Sequence, residues 1–297
     1  MINEGVKVLR LQCFQLLLFL PFFIFADHPP EKKDLEKGHS NHGGVFNEGP
    51  RQAAYLMKGT GELKFEISSK NELTKKFFLQ GLGQLHGFWY FEAERSFRQA
   101  AVTDKDCAIL YWGMAQANID NQVRARGFLL KAWELKDKAS ERERLYIEAF
   151  ASLIGLPTDA KGLEQYKKEK AKFKPKGSDM NRRKDYVRKL EDLVIKYPDD
   201  LEAKAFLVVQ LWFNGRKGIP VASTLAVNAL IDQVLAKAPM HPIHHYRIHH
   251  WDYRKSEMAL SSAAKCGFSA PSIAHMWHMP GHIYSKQKRF ADAAWHQ

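Results

Sequence analysis

From Asn71 onward the apolar residues recur at spacings of three and four, and strand-like alternation is confined to Leu63-Lys64-Phe65-Glu66-Ile67. This periodicity predicts helices. Gly81, Ala93, Phe97 and Ala100 are followed 32 residues later by Gly113, Ala125, Leu129 and Ala132. Near the other end, Ile243, Arg247 and Ala259 precede Trp277, Gly281 and Ala293 by 34 residues. A recurrence of this length predicts stacked helical hairpins, in which small residues allow helices to approach closely while Phe97 and Leu129 fill the space behind them.

The middle of the chain is less regular. Ser140-Glu141-Arg142-Glu143 forms a capping box that predicts a helix through Ile154. A second helix is expected from about Arg182 to Tyr197, and Pro198-Asp199-Asp200 separates it from a third over Leu201 to Phe213. Residues 173–181 and the Gly/Pro stretch from Asn214 to Pro220 read as loops.

The first 26 residues carry Lys7 and Arg10, then an apolar run from Leu11 to Phe25 and a small residue, Ala26. This is the layout of a cleaved secretory signal, with the mature chain beginning near Asp27. The run is shorter than the roughly 20 residues a membrane helix needs. Export to the periplasm or the exterior is therefore expected, with no stable membrane span. Residues 27–70 read as a polar, mostly irregular leader, and 71–297 as the helical domain.

Composition adds two points. The formal charge of +12 is concentrated between Lys161 and Lys189, where twelve Lys or Arg face four acids. Without interleaved aromatics, and in an exported protein, that run reads as a solvated face rather than a nucleic-acid surface. Beyond the signal, Cys107 and Cys266 lie about five helices apart in the expected stack, too far for a disulfide, and read as buried thiols.

The residues that carry a family resemblance are Trp277-His278-Met279-Pro280-Gly281-His282-Ile283-Tyr284 with Ala293. They follow the W-x2-L-G-x2-Y frame and distal alanine of a tetratricopeptide (TPR) hairpin, with Pro280 in the leucine place. Together with Gln84 to Ala93, Tyr111 to Ala115 and His245 to His249, they make the chain resemble a group of exported or uncharacterised bacterial TPR proteins. The resemblance implies an all-α, TPR-like solenoid and brings no settled activity. Its relatives continue past the position of Gln297, some into redoxin-like domains, so the last repeat is expected to be incomplete. The expected function is a scaffold whose concave groove binds a peptide, a protein partner or an adjoining domain.

Histidine is the chemistry-bearing residue. Eight of the thirteen histidines fall between His241 and His282. The hairpin register turns His275, His278 and His282 toward the groove and, one period earlier, His241, His244 and Ile248. His245 with His249, and His278 with His282, are four apart on a helical face, a spacing that lets imidazoles converge on zinc, copper or nickel. His245, His249, His278 and His282 are thus candidate metal ligands, against the alternative of groove-lining or structural histidines. No G-x-S-x-G, P-loop, G-x-G-x-x-G after a strand, CxxC or HExxH motif is present, so no enzyme is expected.

Overall fold

The computed structural model describes residues 53–297. The expected signal peptide and the leader as far as residue 52 lie outside the described residues. Among the described residues there are thirteen α-helices and no strand. They are α1 (Glu72–His86), α2 (Tyr90–Thr103), α3 (Ala108–Gln116), α4 (Gln122–Leu135), α5 (Glu141–Ile154), α6 (Ala160–Glu169), α7 (Asp179–Lys196), α8 (Leu201–Arg216), α9 (Thr224–Lys237), α10 (His244–Trp251), α11 (Leu260–Ser269), α12 (Ala274–Lys286) and α13 (Phe290–His296). None is long and apolar enough to cross a membrane.

Short polar residues start most of these helices. Asn71, Asn121, Asp159, Ser178, Asp200 and Ser223 each accept a hydrogen bond from a backbone N–H of the first turn, satisfying donors that have no intrahelical partner. Ser140 and Glu143 form the reciprocal capping box at α5. Because Ser178 caps α7, that helix begins at Asp179, and the basic loop before it is shorter than its composition suggests. The basic run itself lies on α6, the following turn and α7, with exposed partners such as Glu134 on Lys167 and Asp179 on Arg183.

The helices pair as hairpins in a repeat-like order: α1 with α2, α3 with α4, α5 with α7, α8 with α9, α10 with α11 and α12 with α13. Successive first helices also touch, α1 against α3, α3 against α5, α8 against α10 and α10 against α12. The small-residue frame explains the close approach. A Cβ added at Gly81 would come within 2.8 Å of the Phe97 ring, which lies between the helices of the first hairpin. Ala93, Ala100, Ala125, Leu129 and Ala132 are fully buried. Cys107 and Cys266 are buried free thiols.

Residues 53–70 lie across this frame as an extended segment. Leu63, Phe65 and Ile67 are buried while Glu62, Lys64 and Glu66 are exposed, the alternation of a strand without a strand partner. Side chains serve its backbone instead. Gln80 Oε1 accepts from Met57 N at 2.6 Å and Gln80 Nε2 donates to Tyr55 O at 3.0 Å. Arg142 donates to Glu66 O, and Glu143 accepts from Ser68 N. At the far end of the chain, Ser272 N donates to Gly59 O at 2.9 Å. Gly81 and Gly83, two residues apart on α1, therefore divide their roles. A Cβ at Gly83 would lie 1.9 Å from Thr60 O, so Gly83 admits the extended segment rather than another helix.

Candidate metal centre

The turn between α1 and α2, helix α10 and helix α12 meet at a cluster of imidazoles. His245 and His249 project from one face of α10, and His275 reaches them from the first turn of α12. One ring nitrogen from each of the three lies within 4.8 Å of the others. Ring centroids are 4.6 Å apart for His245 and His249, and 4.9 Å for His245 and His275. The Nε2 atoms of all three are buried and meet no hydrogen-bond partner among the described residues. Such atoms are costly unless something satisfies them, and three together in one place call for a common partner.

The tautomer of His245 follows from its surroundings. Its Nδ1 lies 2.6 Å from the carbonyl oxygen of His86, an atom that only accepts, so Nδ1 carries the hydrogen and Nε2 keeps its lone pair. This is the arrangement by which metal-bound histidines are usually oriented. Burial pushes the His245 pKa well below the ordinary histidine range, with the neighbouring His249 and His275 adding to it. Burial and His275 likewise lower His249, to about 3. His275 is lowered by burial and then by His278 and His282. All three are neutral near pH 7, the form that binds a metal.

Aromatic rings enclose the group. His249 stacks on Trp212 of α8 with centroids 4.2 Å apart, and the Phe88 ring stands 4.5 Å from His245 and 5.9 Å from His275. Phe88 has φ +54°, a left-handed conformation rare outside glycine. Lys288, in the turn between α12 and α13, adopts φ +57°. The conformation therefore belongs to the hairpin turn, and what distinguishes the first turn is the phenyl ring it carries into the histidines.

A second group, His86, Glu202 and His241, also has ligand-like spacing but accounts for itself. His241 Nδ1 accepts from Ile243 N at 3.0 Å, so its Nε2 donates to Glu202 Oε1 at 3.0 Å. His86 Nε2 meets the other carboxylate oxygen at 2.6 Å, and its Nδ1 pairs with the Tyr246 hydroxyl at 2.9 Å. Burial opposes the Glu202 charge, but the two imidazoles outweigh it and hold its pKa well below the usual carboxylate value. This group braces the residue whose carbonyl orients His245.

The structure thus divides the histidines that the register placed together. His275, His278 and His282 do share one face of α12, with His278 Nε2 and His282 Nε2 3.0 Å apart. His241 and His244 do not join them. His241 is buried against Glu202, and His244 is buried between Ser262 Oγ and Pro239 O, each at 2.9 Å. The physical reason is the start of α10: residues 241–243 form a turn, and the helix begins at His244 with Ile243 as its cap, whereas Trp277 lies well inside α12. The face of α10 that meets α12 is therefore one residue further on, at His245 and His249. His86, Phe88, Glu202 and Trp212 carry no local sequence signal for the site, since they reach it across more than thirty residues of chain.

No family model matches this chain, and no curated protein matches it.

Proposed function

We propose that the protein is a metal-binding helical-repeat scaffold of TPR-like solenoid form, exported through its N-terminal signal, with a transition-metal ion held by His245, His249 and His275. The observation that carries this reading is the convergence of three imidazoles, each with one ring nitrogen within 4.8 Å of the others and with a buried, unpartnered Nε2, that of His245 left as a lone-pair donor by the His86 carbonyl. An all-imidazole set suits zinc, copper or nickel. Three protein ligands leave a position for water or an exogenous ligand, the arrangement of catalytic rather than closed structural zinc sites. When bound, the ion would supply Lewis acidity at that position. The chain's own residues orient the ligands through His86 and limit water with Phe88 and Trp212. The test is the metal content of purified, dialysed protein, read beside the His249→Ala and His275→Ala variants. A folded wild-type protein that takes up none of the three metals would refute the reading.

A second reading keeps the repeat frame as a docking surface for a peptide, a protein or an adjoining domain. It is supported by a cleft of about 1030 Å³ between the extended segment, α1 and the start of α8, walled by Leu56, Leu63, Leu79, Leu201 and Met240, with Glu202 and His241 at its edge. Saturation of that cleft by a peptide without effect on metal content would favour this reading.

A further inference from the structure

The imidazoles do not end at the triad. His278 lies beside His275 with ring centroids 5.8 Å apart, and His282 lies beside His278 at 4.9 Å. Exposure grades along this line: His245 is fully buried, His249, His275 and His282 are half-buried, and His278 is exposed. Five imidazoles therefore form an unbroken path from solvent to the enclosed nitrogens.

The outer pair has its own ligand geometry. His278 Nδ1 donates to Gln297 Oε1 at 2.7 Å, while His282 Nδ1 lies 3.6 Å from Asp252 Oδ2, beyond hydrogen-bond distance but toward its charge. Asp252 is shared with Lys286, whose Nζ lies 2.7 Å from Oδ1 and also donates to the Asp252 carbonyl. With its hydrogen on Nδ1, His278 keeps a lone pair on Nε2, which accepts from His282 Nε2–H at 3.0 Å in the metal-free protein. A cation takes the place of that hydrogen when His282 moves it to Nδ1, the nitrogen that faces Asp252. Two metal–nitrogen bonds of about 2.0–2.1 Å span such a gap at an angle near 90° and open toward the tetrahedral value with a small ring rotation.

Building on the metal reading above, we infer that His278 and His282 form a second, solvent-facing metal station that captures the ion and passes it along His275 to the buried triad. A buried site needs an entry path, and Phe88 and Trp212 stand on other sides of the triad. His275 touches both groups and is the point of transfer. The pair has two imidazoles where the triad has three, so its affinity is lower and the transfer runs inward.

The test uses Co²⁺ and Cu²⁺ added to metal-free full-length protein, with ligand-field absorption followed by stopped flow and stoichiometry by titration. In the His278→Ala/His282→Ala double variant, the triad is expected to fill to the same final extent several-fold more slowly, and the weaker binding step seen in the wild type is expected to disappear. Unchanged loading rate and unchanged stoichiometry would overturn the inference. So would loss of all binding, since the pair would then belong to one centre with the triad; the metal reading itself would survive. A folded wild type that binds neither ion, and takes up no zinc or nickel either, defeats both proposals. Circular dichroism checks that the double variant folds; if it does not, the single His278→Asn variant, at an exposed position, is measured in its place with the same expected slowing.

Discussion

His245 Nδ1 donates to the carbonyl oxygen of His86 at 2.6 Å, a contact between residues 159 positions apart in the chain. Through it the first hairpin sets the orientation of the His245 imidazole on the fifth. The His86 side chain is held in turn by Glu202 and Tyr246, so the orientation depends on groups outside the triad.

Zinc added to metal-free protein is expected to raise the melting temperature. At free zinc about a hundredfold above Kd, binding adds about 2.7 kcal/mol of stability. His275→Ala should abolish the zinc-dependent rise while the metal-free protein still melts cooperatively. Differential scanning calorimetry with and without zinc measures both.

Removing Glu202 should cost stability even without metal. Its carboxylate accepts from two buried imidazoles, and breaking such a buried network by removing one partner costs about 3–5 kcal/mol. Glu202→Ala is expected to lower the urea midpoint accordingly. If it still folds, it should bind zinc about 10–100-fold more weakly, the usual effect of losing an outer support. An unchanged zinc affinity would show that His86 needs no brace.

Acid should destabilise the fold through buried histidines. Burial lowers the His244 pKa to about 4, against about 6.5 in the unfolded chain. Between these values the unfolded chain binds the proton and the folded one does not, so stability present above about pH 6.5 is lost as pH falls toward 4. His249 works in the same direction. Urea midpoints measured from pH 7.5 to 4.5 should fall, and His244→Gln should flatten the slope. Because the triad also stays neutral in the folded state, zinc stabilisation should persist below pH 6, further than ordinary histidines would allow.

Two glycine substitutions should act in opposite directions. At Gly83 a methyl group meets Thr60 O at 1.9 Å, so Gly83→Ala must displace backbone and should cost about 1–3 kcal/mol, with faster proteolysis between residues 53 and 70. At Gly215, in the last turn of α8, an added Cβ meets nothing within 4 Å. Gly215→Ala should be neutral or stabilising by up to about 1 kcal/mol. Chemical denaturation of the two variants side by side distinguishes them.

The helices from residue 71 onward were legible because their signals are local: the Ser140 capping box, the Asp200 cap and the small-residue frame at Gly81, Ala93 and Ala100. The face of α12 bearing His275, His278 and His282 follows from spacing within one helix. On α10 the spacing marks His245 and His249, but the repeat register points to His241 and His244 instead, because Pro242 and the turn at 241–243 delay the helix and shift its register by one residue. Nor was the role of Leu63, Phe65 and Ile67 legible. Alternation marks an extended segment, but its partners here are side chains on α1 and α5 rather than a neighbouring strand.

Rows of hairpins that touch only their neighbours ordinarily melt from the two ends inward. Here Gly59 is tied to Ser272, and His86 to His245, so the first hairpin leans on the last ones. The first hairpin cannot fray without withdrawing support from α10 and from the segment that leads into α12. Assembly carries the same constraint in time. During synthesis the first hairpin must wait for α10 and α12 before its turn is covered, and an ion bridging His245, His249 and His275 would close the final joint.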